Sequence, residues 1–228
     1  MNKISVLIAG ETNSAIKNKV GLKKKWYSDA LSSQSLSISF YDIYNNDDFP
    51  LSEDNNPWII TGSEHSVYDN LEWLNNLKYK LSEAINKGRP VLGVCFGHQL
   101  LADVIGGTVA KNKLGWEVGY APIELTSEGN NSLLFNNFPN SFYAAQTHQD
   151  IVQDLPQECT ILAKNNMGIQ SFSYKDQIFG VQFHPEFNQE ILDNYINLRA
   201  DCNIDIIYPN KKSINISSLI FKNFMNKF

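Results

Sequence analysis

Residues 91–105 read VLGVCFGHQLLADVI, and this stretch decides the class of fold. Its first four residues, Val91 to Val94, are apolar or glycine, as expected of a central strand that is covered on both faces. From Gly97 to Ile105 the apolar residues recur with helical period instead. The sequence therefore predicts a strand, a sharp turn at Cys95 and a helix.

A similar alternation of short apolar runs and longer helical segments precedes this stretch. The predicted strands are Ile4 to Ala9, Ser37 to Tyr41 and Trp58 to Thr61. The predicted helices lie around Lys17 to Ser32 and Tyr68 to Lys87, and the second has an apolar stripe at three- and four-residue steps. Such alternation predicts an α/β fold with a central, mostly parallel sheet flanked by helices.

The second half of the chain carries shorter apolar runs between polar turns. They are predicted to be strands that complete the sheet and form antiparallel ribbons: Thr108 to Ala110, Ala121 to Leu125, Phe142 to Ala145, Thr160 to Lys164, Ile169 to Tyr174 and Ile178 to Phe183. Helices are predicted at Gln189 to Ala200 and Ser217 to Lys227, with a polar linker between them. We expect one domain over residues 1–228, with a C-terminal helical extension at about 189–228.

The composition is that of an ordinary globular domain. With 43% hydrophobic and 19% charged residues, a chain of 228 residues can bury one sizeable core. A net charge of -5 gives no electrostatic reason to expect nucleic acid or an anionic membrane as a partner. The largest basic cluster, Lys23 to Lys25, is interpreted as a solvated helix face.

Cysteine content and hydropathy bear on the compartment. The 3 cysteines, Cys95, Cys159 and Cys202, lack metal-ligand spacing. The N-terminal apolar run is too short for a signal peptide, and no run approaches the length of a membrane span. These features predict a cytoplasmic protein with free thiols and no bound metal.

The glycine-flanked Cys95 has the surroundings of a nucleophile. A thiol at the first turn of a helix faces unpaired backbone N–H groups and the positive end of the helix dipole, which favour the thiolate. The pattern Gly93-x-Cys95-x-Gly97 corresponds to the nucleophile elbow, in which the amide after the nucleophile helps to hold an oxyanion. Phe96 would supply this amide. The alternative is that Cys95 is a small buried hydrophobic residue, as most lone cysteines after apolar strands are.

A base and a carboxylate follow much later, in the sequence Phe183-His184-Pro185-Glu186. Residues two apart on an extended strand point to the same face, so the side chains of His184 and Glu186 can point to the same side of the strand. His184 would accept the thiol proton and later protonate the leaving nitrogen, while Glu186 orients the ring. A neutral His184 in this role predicts a rate that falls on acidification through an imidazole-like pKa. His98 is interpreted as a packing residue.

Together with Cys95 and His184, further motifs resemble those of the class I, triad-type glutamine amidotransferases. These motifs are Gly93 to Gln99, Ile60 to Tyr68, Gly106-Gly107, Gly115 to Gly119, Thr147 to Asp150 and Phe183 to Glu186. The chain is similar both to stand-alone GMP-synthase-like members and to γ-glutamyl peptidase-like members of this family. The resemblance covers most of the chain and implies a flavodoxin-like fold.

The resemblance also implies a role for each matching residue. Cys95, His184 and Glu186 correspond to the family's catalytic triad. Residues expected at the oxyanion hole or the substrate are Gly62, Ser63, Phe96, Gln99, Thr147, His148 and Gln149. Two positions depart from a common family pattern: Gly62-Ser63-Glu64 stands where many members have Gly-Gly-Pro, and Gln149 stands where synthase-type members often have glycine.

The leading hypothesis for function is hydrolysis of a γ-glutamyl amide, from glutamine to glutamate and ammonia, through a γ-glutamyl thioester on Cys95. Thiolate, imidazole and backbone donors supply every charge change, so no cofactor is expected. The sequence has no phosphate-binding loop, so any acceptor of the ammonia would lie on a separate synthetase subunit. One alternative is a γ-glutamyl peptidase that acts on a small γ-glutamyl peptide or metabolite, and another is a catalytically silent binding or regulatory module.

Overall fold

The structure is a computed structural model that describes residues 2–45, 49–50, 54–200 and 219–228. Its strands are β1 Asn2–Leu7, β2 Leu36–Tyr41, β3 Trp58–Ile60, β4 Val91–Val94, β5 Thr108–Lys111, β6 Glu117–Leu125, β7 Ser141–His148, β8 Asp150–Asp154, β9 Cys159–Asn165, β10 Gly168–Tyr174 and β11 Ile178–Val181. Its α-helices are α1 Ser14–Val20, α2 Lys23–Leu31, α3 Glu72–Asn86, α4 Phe96–Val104, α5 Ser127–Asn131, α6 Gln189–Leu198 and α7 Leu219–Lys227.

One large mixed sheet organises the described part of the chain. Its strand order is β2-β1-β3-β4-β11-β10-β9-β6-β7, and β5 pairs separately with β8. The strands from β2 to β11 in this order run parallel, and the remaining neighbours are antiparallel. The predicted α/β fold, with a parallel centre, flanking helices and antiparallel ribbons in its second half, is confirmed.

Side-chain alternation along the central strands explains why helices cover both faces of the sheet. On β1 and just beyond it, Ile4, Val6 and Ile8 belong to one buried cluster, whereas Leu7 and Ala9 belong to the other. The first cluster includes apolar residues of α2 and α7, and the second includes those of α3 and α4. The carboxyl ends of the parallel strands are left free to carry a site.

The helix predicted from Lys17 to Ser32 is two helices, α1 and α2. Gly21 separates them with a φ of 79°, a left-handed conformation that glycine adopts without strain. The interpretation of Lys23 to Lys25 as a solvated face is wrong for Lys23, which is only 6% exposed. Its ammonium group donates to two backbone carbonyls of the loop between β1 and α1, so burial is compensated by hydrogen bonds.

The ends of other helices and strands differ from the predicted ends by a few residues, and two observed elements were not predicted. The helix expected from Tyr68 begins at Glu72, and the strand expected to reach Phe183 ends at Val181. Strand β8 and helix α5 were missed because both are short and polar. Cys202 lies outside the described residues. Along the described parts of the chain, each helix is too short or too polar to cross a bilayer.

Candidate active site

The turn at Cys95 has the backbone geometry of an elbow. Cys95 directly follows β4 and caps α4, and it adopts φ 52° and ψ -103°, a left-handed conformation that is rare for residues other than glycine. Its N–H donates to the carbonyl of Val181 at 2.9 Å, which anchors the turn to β11. Backbone strain of this kind is retained where the surrounding structure enforces it, and such positions cluster at functional sites.

His184 and Glu186 form a buried pair in the loop that follows β11. Nδ1 of His184 lies 2.8 Å from Oε1 of Glu186, and both side chains are almost completely buried. The imidazole stacks on the ring of Phe187, with centroids 4.1 Å apart and an interplanar angle of 17°. The backbone N–H of His184 donates to the carbonyl of Ala145 at 2.9 Å. The ring is therefore fixed in both position and tilt.

The expectation that His184 and Glu186 share an extended strand is wrong. Strand β11 ends at Val181, and the chain turns at Pro185 and Glu186. The two side chains meet because the turn folds the carboxylate back onto the ring. Proline restricts its own φ and the conformation of the preceding residue, which favours a fixed turn over a continued strand.

The imidazole of His184 and the side chain of Cys95 meet beside Gly62. A methyl group at Gly62 would lie 3.0 Å from Cε1 of His184 and 3.6 Å from Cβ of Cys95. Among the described residues, Nε2 of His184 is buried and makes no conventional hydrogen bond, so it is open to the thiol. Gly62 thus leaves the space in which the two groups converge.

Charge at this centre changes the proton affinity of His184. Burial alone disfavours the imidazolium, but the negative charges of Glu186 and Cys95 outweigh it and raise the pKa of His184 to about 10. The ring therefore keeps its proton at neutral pH. This differs from the expected neutral base, and an acid limb in the rate would belong to the coupled thiolate–imidazolium pair rather than to a free imidazole.

An open cleft of about 210 Å³ lies over Cys95. Its lining residues are Ser63, Glu64, His65, Ser66, Cys95, Gln99, Lys111, Trp116, Thr147, His148, Gln149, Asp150 and Arg199. A smaller cavity of about 30 Å³ adjoins Cys95 and is lined by Lys23, Gly62, Thr147, His184 and Glu186, among others. The structure thus brings most of the expected site residues to these two spaces. Phe96 is an exception, because its side chain is in the core and only its amide, at the start of α4, faces the elbow.

Gln99 supports the loop that forms one wall of the cleft. Its amide nitrogen donates to the carbonyl of Asp150 at 2.7 Å and to Oε1 of Gln182 at 3.2 Å. These bonds occupy both N–H groups of the Gln99 amide. Gln149 is held on the same loop, where its carbonyl accepts from the N–H of Asn112 at 2.9 Å. Contact of Gln99 with the substrate stays a prediction, and its oxygen is the atom left for it.

His148 belongs to a buried polar network that the sequence did not reveal. Its Nδ1 lies 3.0 Å from the carbonyl of Asp150, and its Nε2 lies 2.8 Å from Oε2 of Glu117. The Glu117 carboxylate also accepts from Asn165 at 2.6 Å and from Gln170 at 3.0 Å. Each ring nitrogen thus faces an oxygen atom. His148 is therefore held in the cleft wall from both sides of its ring.

Asp150 presents a carboxylate to the same cleft. Its oxygens accept from the hydroxyl of Ser66 at 2.6 Å and from that of Tyr68 at 3.1 Å. The sequence places Asp150 in the motif Thr147 to Asp150 but does not predict it as a site residue. The three residues come from segments more than eighty positions apart. The only sequence signal for this contact is that all three residues lie in motifs that resemble those of the family.

The other histidines and cysteines have simpler surroundings. His98 is completely buried and packs against Phe172, with ring centroids 5.0 Å apart, as expected of a packing residue. Burial and the charge of His148 lower the pKa of His98 to about 3, so its ring stays neutral. Cys159 lies on β9 away from both cavities. Among the described residues, no group of three His, Cys, Asp or Glu side chains is arranged to hold a metal ion.

Comparison with protein families gives a match over most of the chain. The sequence profile of the family described as "Glutamine amidotransferase class-I" matches residues 24–198. The chain is 32% identical over 152 residues to gamma-glutamyl peptidase 3 of Arabidopsis thaliana, and this alignment covers 62% of this chain and 60% of that protein. It is 38% identical over 146 residues to a glutamine-hydrolyzing GMP synthase of Aeropyrum pernix, and this alignment covers 61% of this chain and 27% of that protein. The chain thus spans about three fifths of the length of the peptidase that it matches.

Comparison with solved structures gives the same fold. A glutamine amidotransferase from Thermotoga maritima superposes with a TM-score of 0.80 over 100% of this chain and 98% of its own. The two sequences are 22% identical, so the likeness concerns the arrangement of the sheet and helices rather than the details of the site.

Proposed function

Because this chain belongs to the class I glutamine amidotransferase family, we propose that it hydrolyses a γ-glutamyl amide bond through a thioester on Cys95. One observation carries the proposal. Cys95 sits on a strained elbow at the base of an open cleft, beside a histidine that a buried carboxylate holds at 2.8 Å. A buried structural cysteine requires none of these three features.

The proposed reaction has two steps. The Cys95 sulfur attacks the side-chain carbonyl carbon of the γ-glutamyl group, the carbon–nitrogen bond breaks, and the His184 imidazolium gives its proton to the departing nitrogen. Water then attacks the thioester and passes a proton to His184, and the carbon–sulfur bond breaks, which releases glutamate and regenerates the Cys95 thiolate beside the His184 imidazolium. The amides of Phe96 and of the Gly62-Ser63 turn are proposed to hold the oxyanion in both steps.

The cleft offers charges that match the amino-acid end of a γ-glutamyl group. We propose that the Asp150 carboxylate receives the α-ammonium group, while the loop of Thr147, His148 and Gln149 receives the α-carboxylate. The contacts of the buried His148 ring and of the Gln99 amide keep this loop in place. Recognition of both charges would restrict the enzyme to a free amino-acid end.

Free glutamine is the simplest substrate, and its ammonia would pass to an acceptor site on a separate synthetase subunit. A second candidate is a γ-glutamyl peptide, which has an amino acid in place of ammonia as the leaving group. The open cleft and the cation Lys111 on its lining favour this second candidate, whereas the charge of Arg199 on the same lining is paired with Glu64 at 3.3 Å. Both versions are compatible with the predicted cytoplasmic setting and with the absence of a cofactor from the reaction.

We also propose that residues 1–228 fold as one domain. Helix α7 returns to the sheet, where Ile220, Phe221 and Phe224 join the same buried cluster as Ile4 and Leu92. The side-chain amide of Asn223 donates to the carbonyls of Leu134 and Asn136, at 2.9 and 2.8 Å. The C-terminal helical segment is therefore integrated into the core.

The substrate is tested by comparing glutamate release from glutamine and from γ-glutamyl dipeptides. We expect turnover of at least one of these, with a mass increase of one γ-glutamyl group on Cys95 after acid quenching. A dipeptide preference of about tenfold or more in kcat/KM would identify the peptidase version, since each factor of ten corresponds to about 1.4 kcal/mol of transition-state binding. Ligand binding without any turnover would instead support the silent module.

The protonation of His184 is a separate expectation. A pKa raised to about 10 means that the ring holds two protons at every pH below this value and loses one as the pH rises through it. In ¹⁵N NMR spectra we expect a doubly protonated His184 at pH 8. Replacement of Cys95 by alanine removes one of the charges that raise this pKa, so the titration should move to lower pH. A singly protonated ring at pH 8 in the wild-type protein would contradict this picture.

A further inference from the structure

Lys23 is a buried cation that the reaction described above does not use. It is the first residue of α2, 6% exposed, and its ammonium group donates to the carbonyls of Gly10 at 2.8 Å and Glu11 at 3.0 Å. Its backbone N–H donates to the hydroxyl of Thr12 at 3.1 Å. The two bonds of the ammonium group fix the side chain, and their acceptors are uncharged backbone carbonyls. A buried lysine is costly unless its charge is balanced nearby.

Glu64 has the largest opposing effect on Lys23, and Glu186 and Cys95 at the proposed catalytic centre follow. Lys23 lines the small cavity together with Cys95, His184 and Glu186. In a buried setting a charge acts over several ångströms, because water and salt do not screen it as they do at the surface. Lys23 is therefore placed to act on these three groups without touching them.

The formal charges of the catalytic groups show what Lys23 contributes. An ionised Cys95, a protonated His184 and an ionised Glu186 would carry a net charge of −1, which is unfavourable for buried side chains. The Lys23 ammonium makes the four groups neutral. Without it, protonation of the thiolate would remove the excess negative charge.

The other charged groups around Lys23 leave this balance intact. Glu64 interacts with Lys23 but also forms an ion pair with Arg199 at 3.3 Å. Glu11 is exposed to solvent. The phenol of Tyr27 is buried near Glu186 and Cys95, and burial followed by these charges raises its pKa well above the usual value, so it stays neutral.

We propose that Lys23 is a positioning residue whose buried ammonium group completes the charge balance of Cys95, His184 and Glu186 and thereby favours the reactive thiolate. The proposal rests on the proposed catalytic roles of these three residues. Burial lowers the pKa of Lys23 to about 8, against the opposing effect of Glu64, Glu186, Cys95 and Glu11. The ammonium form therefore predominates at neutral pH, and its charge is lost as the pH rises through about 8.

Alkylation of Cys95 by iodoacetamide tests the proposal without a substrate. The rate is measured from pH 4 to 8 by mass spectrometry of the Cys95 peptide, which separates it from other thiols. In Lys23→Met we expect the midpoint of the pH dependence to rise by about one unit, the size of shift typical of a single nearby charge. Lys24→Met is the matched control, because Lys24 is adjacent on α2 but pairs with Asp42 at 2.6 Å. Its midpoint should equal that of the wild-type protein.

A purely structural role for Lys23 would lower the melting temperature and leave the alkylation midpoint unchanged, and this result would overturn the proposal. If Lys23→Met does not fold, the same coupling can be measured with Lys23 in place. Coupling is reciprocal, so replacing Cys95 by alanine should lower the pKa of Lys23 in NMR titrations. An unchanged Lys23 titration would equally overturn the proposal. A shifted midpoint without hydrolysis of any γ-glutamyl compound would count against the proposed function alone.

Discussion

Cys95→Ser should lower kcat/KM for the preferred γ-glutamyl substrate by about four orders of magnitude or more, since loss of the nucleophile in a hydrolytic triad costs up to about 10⁶-fold. Serine nearly preserves the size of the side chain. However, the proposed mechanism requires a thiolate, and a serine hydroxyl is far less acidic than a thiol and would keep its proton. The folded state should be little affected, so the loss belongs to the chemical step.

The matched control for this experiment is Cys159→Ser. Cys159 lies on β9, and burial together with the charge of Glu158 raises its pKa to about 11, which makes it a poor nucleophile. The control should keep wild-type kinetics, and the thioester mass should be absent from Cys95→Ser and present in the control. Substantial turnover by Cys95→Ser would show that the reaction uses another nucleophile.

Alanine at either glycine of the elbow should destabilise the protein by more than about 4 kcal/mol or prevent folding, because the added methyl group meets backbone that cannot move independently. At Gly93 it would lie 2.3 Å from the carbonyl oxygen of Gly97. At Gly97 it would lie 2.4 Å from the carbonyl oxygen of Ile60 on β3. The helix α4 can approach the sheet this closely only because both positions lack a side chain.

Gly115→Ala separates this steric effect from the effect of backbone conformation. Gly115 has a φ of 92°, but an added methyl group would meet nothing within 4 Å. We expect it to cost about 1 kcal/mol, the penalty for placing a residue with a β-carbon in a left-handed conformation. Chemical denaturation of the three variants measures the difference. Equal losses in all three would show that close packing at Gly93 and Gly97 is not the reason for these glycines.

The local sequence was sufficient to predict the turn at Cys95. Val91 to Val94, Cys95 and the two flanking glycines are consecutive, so their apolar pattern and turn propensity are expressed within a single β-turn-α unit. The same holds for the alternation that predicts the parallel strands. The family resemblance, which rests on such short motifs, is confirmed by the profile match over residues 24–198.

Local sequence was not sufficient where several segments converge. The basic cluster that begins at Lys23 looked solvated, because charge patterning cannot show that one of its members turns inward to two carbonyls. The pairing of His148 with Glu117, and of Asp150 with Ser66, likewise joins residues 31 and 84 positions apart. Each of these contacts depends on strand order and loop packing.

The sequence by itself determined the type of fold and predicted Cys95 as the nucleophile, because strand and helix periodicity and the glycine turn are properties of neighbouring residues. Only the tertiary structure decided the electrostatics of the site. It folded Glu186 back onto His184 beyond the end of β11, opened the cleft over Cys95 and buried Lys23 beside them. The physical reason is that proton affinity depends on burial and on the distances between charges, and both are set by contacts between segments far apart along the chain.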